Sequence, residues 1–346
     1  MEVLSNQSLL APSFISHMND EPFVLIDVGC SGGISDEWRA FEPYLHAYGF
    51  DPNIQECLRL QSAEKNDEVK YISGFVGLSP DHPFKQRWEK EKREFTTNSP
   101  WDRLAVARTS LLQKAKHAAL DHKEKTEHNH WASMELADSD NTIFLDQFVR
   151  ENDINSVDFI KIDVDGADFE VMHSLEADLK RLGVLGVVVE VNWIGTDHPA
   201  EHSFHNTDRF MRAAGYDLYD ITMRRYSMVA LPGRYDLTIP AQGLIGRPLQ
   251  GDALYLRDLA APQNTDLAAA ISIEKILKLA VLFEIAGQPD SAADLILTFS
   301  ERLNRVINVS EALDTLASGP AFSFSGATSF DDHVNRFEND DPSFYR

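Results

Sequence analysis

The stretch FVLIDVGCSGG, residues 23–33, constrains this chain more than any other part of it. An apolar run ends in an acid, and the acid opens into small residues. Phe23 to Val28 is short, largely β-branched or bulky, and bounded by glycine, so it reads as a buried strand. Ser35 to Tyr44 follows with helical character, Ser35 or Asp36 being its cap. The unit then repeats. Leu45 to Phe50 reads as a second strand ending in Asp51-Pro52-Asn53, a helix is predicted from about Ile54 to Glu64, and Val69 to Phe75 reads as a third strand. Strands alternating with helices predict an α/β fold, a parallel sheet covered on both faces.

Residues 79–140 break this rhythm. The stretches KQRWEKEKREF, TTNSPWDRLAVARTSLLQKAK and HKEKTEHNHW are rich in charge and only partly periodic. An irregular insertion of this length reads as a lid or binding element. The pattern resumes at Asn141. NTIFLDQFVREN is a predicted helix with Leu145, Phe148 and Val149 on one face. VDFIKIDVDG is a strand ending in acids. ADFEVMHSLEADLKRL is an amphipathic helix carrying Phe169, Met172, Leu175 and Leu179. GVLGVVVEVNW is another buried strand, followed by a helix over Asp208–Ala214 and a short strand over Tyr216–Tyr219. DALYLR, from Asp252 to Arg257, reads as a last, antiparallel edge strand.

Beyond the linker APQNT, Gly287 ends one helix and Pro289 opens another, so 265–318 reads as a helical hairpin. One hairpin cannot bury its own face. It is expected to pack on the main domain or on a second copy, which would make a homo-oligomer through the C-terminal helices. The domain reading is therefore an extension at 1–20, an α/β domain at 21–260, the hairpin, and an acidic tail at 319–346 expected to be disordered.

Charge narrows the function classes. With 32 basic and 55 acidic residues the formal net charge is -23, which argues against a nucleic-acid partner and against attraction to anionic membranes. Two cysteines, Cys30 and Cys57, form neither a disulfide framework nor a metal cluster. The start, MEVLSNQSLLAPSF, has no basic region ahead of an apolar core, and no apolar run approaches membrane-spanning length, so a cytoplasmic location is expected.

The acids carry the chemistry. Gly29-Cys30-Ser31-Gly32-Gly33 departs from the dinucleotide fingerprint at Ser31, where a second glycine would let a pyrophosphate approach. Asp27, two residues before the first glycine, suits a positive group such as a sulfonium or an α-amino group better than a diphosphate. Asp51 ends the second strand at the right separation to accept ribose hydroxyls. The set favours adenosyl-methionine over NAD, although Asp27 alone could cap a helix and Asp51 alone could open a turn. Further on, Asp163 and Asp165 end a strand before Gly166, and Asp165 could equally be a helix N-cap. The spacing excludes an EF-hand. Glu190 and Asn192 lie two apart on one face of the next strand, where a carboxylate and an amide among apolar residues point to a catalytic pair or a structural network. His198, His202 and His205 in DHPAEHSFHN read as an exposed polar loop.

The ordered set IDVGCSGGIS, FDPN, TSLL, FIKIDVDGADFEVM and VVVEVN resembles the FkbM family of S-adenosyl-methionine-dependent methyltransferases over about residues 21–258. Asp165 and Asp168 stand where that family usually has glutamates, and the insertion before Asn141 is longer than usual. The resemblance implies a Rossmann-like class I methyltransferase fold and methyl transfer to oxygen, commonly a hydroxyl of a sugar, glycan or secondary metabolite. It implies cofactor contacts from Asp27, Gly29, Gly32, Asp51 and Asp163, with Cys30, Ser31, Pro52, Asn53 and the Ser110 of TSLL beside them. Asp163, Glu190 and Asn192 would stand at the reacting centre, with Asp163 or Glu190 as general base. Alternatively, Asp163, Asp165 and Glu190 could hold Mg²⁺. The competing readings are an NAD(P)-dependent oxidoreductase or epimerase, which needs a Tyr-Lys or His base that the strand ends do not offer, and a non-catalytic binding module on the same fold.

Overall fold

A computed structural model describes residues 8–86, 135–138, 142–164, 166–195, 197–226, 242–320 and 322–345. Two compact units divide the chain, one of residues 25–34 and 47–256, the other of residues 2–24, 35–46 and 257–346.

The strands in chain order are β1 (Phe23–Val28), β2 (Leu45–Asp51), β3 (Val69–Ser73), β4 (Val76–Gly77), β5 (Ile143–Phe144), β6 (Phe159–Ile162), β7 (Gly186–Asn192), β8 (Asp217–Ile221), β9 (Arg224–Tyr226), β10 (Gln242–Gly243) and β11 (Arg247–Leu256). Between them lie α1 (Ile54–Ala63), α2 (Leu145–Glu151), α3 (Asp168–Ser174) and α4 (Phe204–Ala213). The main sheet has the order β10-β9-β11-β7-β6-β1-β2-β3, with β8 also paired to β11. β1 runs parallel to β6, β6 to β7 and β2 to β3, while β11 is antiparallel to β7. This is the doubly wound sheet that the alternation predicts. Every residue of β1 and of β7 is buried, as a sheet covered on both faces requires. The chain leaves β1 for β2 and β3 on one side and returns to β6 on the other. The strand order thus reverses between β1 and β6, which opens a crevice outside their carboxyl ends.

Differences from the sequence reading have local causes. The third strand breaks at Gly74, whose N–H turns to the Asp51 carbonyl at 3.0 Å. Val76–Gly77 then pairs with Ile143–Phe144, so these two residues precede the helix rather than begin it. The segment expected to be helical from Ser35 is a 3₁₀ helix over Asp36–Phe41, since Pro43 cannot continue a helical ladder. β9 and β10 are too short to show a period in sequence, and β11 starts at Arg247 rather than Asp252.

The second unit holds α5 (Ile273–Ile285), α6 (Pro289–Thr298), α7 (Val309–Ala317) and α8 (Phe330–Glu338). From Lys275 to Ile285 every residue of α5 is buried, which an isolated hairpin could not achieve. Residues 8–22 of the same unit provide cover. Glu284 accepts Ser8 Oγ at 2.5 Å, the Leu9 N–H at 2.8 Å and the Leu10 N–H at 3.1 Å. The ammonium of Lys278, with no exposed surface, donates to the Pro22 carbonyl at 2.9 Å and lies 3.5 Å from Glu21 Oε1. Phe23 stacks on Phe41 with centroids 3.6 Å apart. The acidic tail, expected to be disordered, instead carries α8. Ser329 caps this helix through the Asp332 N–H, and Phe330 N–H donates to Asp314 of α7 at 2.8 Å. Phe324 and Phe337 close on Phe344 edge-on, so interspersed aromatic residues give the tail the apolar surface that its acids conceal. Among the described residues no helix is long and apolar enough to cross a membrane.

Glu284→Ala leaves the Ser8, Leu9 and Leu10 donors without their acceptor. It is expected to destabilise the protein by about 3 kcal/mol, read as a lower urea midpoint at unchanged slope, with Glu284→Gln falling between it and the wild type.

Candidate functional site

The glycine turn is tied to the strands on either side. The N–H groups of Gly29 and Cys30 both donate to the Phe50 carbonyl, at 2.9 and 3.1 Å, and the Gly33 N–H closes the turn on Cys30 at 2.9 Å. The Asp163 N–H donates to the Val28 carbonyl at 2.9 Å. Gly29 has φ +89°, and a Cβ there would stand 1.9 Å from the Asp163 carbonyl oxygen, so only glycine fits. Gly32 also has φ +89°, but no atom lies within 4 Å of where its Cβ would be. The turn therefore borders open space on one side and β6 on the other. Ser31 on this turn is exposed.

Asp51 stands at the end of β2, 8% exposed, with Oδ1 accepting the Asn53 N–H at 2.8 Å. Burial raises its pKa, an effect only partly offset by that hydrogen bond. Asn53 caps α1 through the Glu56 N–H at 3.2 Å, and the Pro52 carbonyl accepts the Ala137 N–H at 2.8 Å. Turn and cap thus coexist with a carboxylate at the position a ribose would need. The glycine turn, the open side of Gly32 and Asp51 fit an adenosyl cofactor, with the backbone of Gly29 to Gly33 as its cradle.

Asp27 is 1% exposed and meets the ammonium of Lys161 at 3.1 Å; that ammonium also donates to the Gly29 carbonyl at 3.3 Å. Burial pushes the Asp27 carboxyl up and Lys161 pulls it back. The sequence reading gave Asp27 a cofactor cation as its partner and passed over Lys161. The signal was present, because a lysine inside FIKID is a charge on a strand otherwise built to be buried. Burial draws the Lys161 ammonium down, but Asp27 and Asp163 more than offset this and leave it raised. Asp163, at the head of the loop after β6, has its carboxyl pushed up to about 6. Burial is the main cause, with Asp168 and Asp252 adding to it and Lys161 and Arg224 opposing.

Glu190 and Asn192 have assigned partners. Glu190 Oε1 pairs with Arg224 at 2.5 Å, and the same guanidinium reaches Asp252 at 3.1 Å. Asp252 also accepts the Thr222 hydroxyl at 2.8 Å. Burial draws Arg224 down, but Asp252, Glu190 and Asp163 outweigh it and hold the guanidinium above its ordinary range. Arg224 lies on β9, a strand absent from the sequence reading, and so was missed. Asn192 Nδ2 donates to the His202 carbonyl at 3.3 Å, while His202 Nε2 meets the Glu190 carbonyl at 2.7 Å. The histidine loop corrects the expectation of an exposed loop. His198 and His202 are 4% and 2% exposed and only His205 faces solvent. Asn206 explains the burial by donating to the carbonyls of His198 and Glu201, both at 2.8 Å.

Asp165, Ser110 and most of the lid-like insertion, residues 87–134 and 139–140, lie outside the described residues. Among the described residues no group of three or more His, Cys, Asp or Glu is arranged to hold a metal ion. A pocket of about 360 Å³ lies between α3 and α4, lined by Phe84, Phe169, His173 and Phe210 among others, and none of the sequence-predicted site residues borders it.

Lys161→Met leaves the Asp27 carboxyl buried without its counter-ion. The expected loss is about 3–5 kcal/mol of stability, and adding Asp27→Asn should restore part of it. A double-mutant cycle in urea checks both.

No protein of curated function matches the sequence. Solved structures similar to the chain include a magnesium protoporphyrin IX methyltransferase from Synechocystis with bound SAM, at 7% identity and a TM-score of 0.30, covering 72% of this chain and 76% of that one. A precorrin-6y C5,15-methyltransferase from Geobacter metallireducens is similar at 11% identity and a TM-score of 0.31, with coverage of 71% and 86%. A SAM-dependent methyltransferase from Aquifex aeolicus is similar at 9% identity and a TM-score of 0.29, with coverage of 71% and 89%. The sheet is a doubly wound, mostly parallel one of Rossmann-like kind, with β11 antiparallel to β7. A family model described as the methyltransferase FkbM domain matches residues 48–218, a span that takes in β2, β6 and β7 with Asp51, Asp163 and Glu190, and the chain therefore carries a methyltransferase domain of the FkbM family.

Proposed function

We propose that the protein transfers a methyl group from S-adenosyl-methionine to a hydroxyl oxygen of a carbohydrate-like acceptor, with Asp163 accepting the hydroxyl proton. The observation that carries this reading is the state of Asp163. It stands at the carboxyl end of β6 against the glycine turn, and its pKa is raised to about 6. A general base works best when its pKa lies near the operating pH. Glu190, the other candidate, is held by Arg224 at 2.5 Å and is better read as fixing that guanidinium beside the acceptor. Asn192 is turned towards His202 and is read as support for the same strand end.

When bound, the cofactor supplies an activated methyl group on a sulfonium that departs as a neutral thioether. The chain's own share is position and proton transfer. Asp51 would accept the ribose hydroxyls, flanked by Pro52 and Asn53. The turn from Gly29 to Gly33 would border the sulfur-bearing part, and the Asp27–Lys161 pair would hold that turn against β6. Orientation of a hydroxyl towards the methyl carbon then lets Asp163 take its proton as the new carbon–oxygen bond forms. The net charge of -23 favours a small or carbohydrate acceptor over a polyanion. Likeness to the FkbM family supports oxygen as the acceptor atom.

The cofactor half is tested by calorimetric titration with S-adenosyl-methionine and, in parallel, NAD. Binding of the former, lost in Asp51→Ala, is expected; binding of NAD alone would sink this reading. The base is tested by release of S-adenosyl-homocysteine over a panel of mono- and oligosaccharides. Asp163→Asn is expected to lower turnover by about 10²–10⁴ with cofactor affinity retained. If Asp163→Asn and Glu190→Gln both keep wild-type turnover, neither is the base. In the wild type, kcat/KM should fall tenfold per pH unit below about 6, as Asp163 takes up a proton. The same shift sets a stability trend. Between the ordinary carboxylate value of 3.8 and about 6 the native state holds a proton that the unfolded chain has lost. Stability therefore falls as pH rises through that interval. Asp163→Asn should melt above the wild type at pH ~8 and lose that advantage by pH ~4, as thermal scans at the two values would show.

A further inference from the structure

The loop that leaves β6 begins at Asp163, and Gly166 within it has a positive φ of 128°. A loop here has no ladder to satisfy its amides, so they need other partners. Asp168 supplies them. Its Oδ1 accepts the Val164 N–H and its Oδ2 the Gly166 N–H, each at 2.9 Å, and the residue has no exposed surface. An acid at a helix start ordinarily serves the amides of the first turn ahead of it. Asp168, the first residue of α3, reaches backwards to amides outside its helix, so its carboxylate acts on the loop and not on the helix.

The carboxylate is closed in from the other side. His202 Nδ1 lies 3.8 Å from Asp168 Oδ2, and the opposite ring nitrogen meets the Glu190 carbonyl on β7 at 2.7 Å. At the head of the loop, the Asp163 N–H is fixed on Val28 and its carbonyl lies against Gly29. We infer that Asp168 is a positioning residue for Asp163, fixing the loop behind the base so that the carboxylate keeps one orientation towards the acceptor. The inference rests on the reading of Asp163 as the base.

Amide hydrogen exchange, followed by mass spectrometry on the full chain, tests this without an acceptor. Asp168→Ala is expected to speed exchange in the peptide covering 163–167 by about 10- to 100-fold, with peptides elsewhere at wild-type rates. Asp168→Glu should restore most of the protection, because the carboxylate returns. Should Asp168→Ala melt early, Asp168→Asn keeps the volume and one acceptor oxygen and carries the same comparison. Turnover on the saccharide panel should drop in kcat while the calorimetric affinity for S-adenosyl-methionine stays within about threefold. Unchanged exchange at 163–167, or a uniform loss of protection across the unit, overturns the inference. The two possible failures separate. A loosened loop with a fully active Asp163→Asn points to the base reading, and an intact loop with an inactive Asp163→Asn points to Asp168.

Discussion

A part-buried ion pair between neighbouring strands, Asp27 on β1 and Lys161 on β6, is the contact on which the rest of the crevice depends. These strands flank the point where the sheet reverses its order, so whatever fixes them fixes the crevice. Burial of two charges is costly unless each satisfies the other and its remaining hydrogen bonds are made. Lys161 meets that condition by reaching both the acid before the glycine turn and the carbonyl of Gly29 within it. One ammonium thereby ties a strand end, a turn and a neighbouring strand into a single rigid edge. Three carboxylates then gather around that edge, and burial raises all three. Lys161 opposes the rise at Asp27, and the Asn53 N–H opposes it at Asp51.

Much of this was legible in the sequence, for physical reasons. Strands buried on both faces must be continuous apolar runs, so β1 and β7 announced themselves, and the acids at their ends marked the crevice. The helices of α1 and α5 were equally plain from their apolar spacing, while their caps, Asn53 and Ser272, come from the structure. The partners of the acids were harder to read. Lys161 stands out only as a charge in an apolar strand, and Arg224 looks solvated along the chain; both prove to be counter-ions when read across the sheet. The histidine loop reads as polar and therefore exposed, but its carbonyls are satisfied internally by Asn206 and it is buried. Cross-strand pairing carries no local period, which is also why β9 and β10 escaped notice.

The second unit repeats the lesson with helices. α5 is apolar nearly all round, and two of its buried charged residues, Lys278 and Glu284, are each matched to the segment before β1. A helix of this kind needs something laid over it, and the chain supplies a stretch without strong periodicity of its own. The tail shows the opposite illusion. Its acids suggest a solvated strand of chain, while phenylalanines spaced between them build a small aromatic cluster around His333 and Phe344.

The anchoring of Ser8 by Glu284 spans a sequence separation of 276 residues. A ribosome releases the N-terminal end of that contact first and the helix that receives it 276 residues later. Residues 8–22 therefore wait, with their apolar side chains uncovered, until α5 has emerged. Domains made of contiguous chain can fold as they appear, whereas this unit closes only when α5 arrives. The long interval before closure is when a holding chaperone has most to act on.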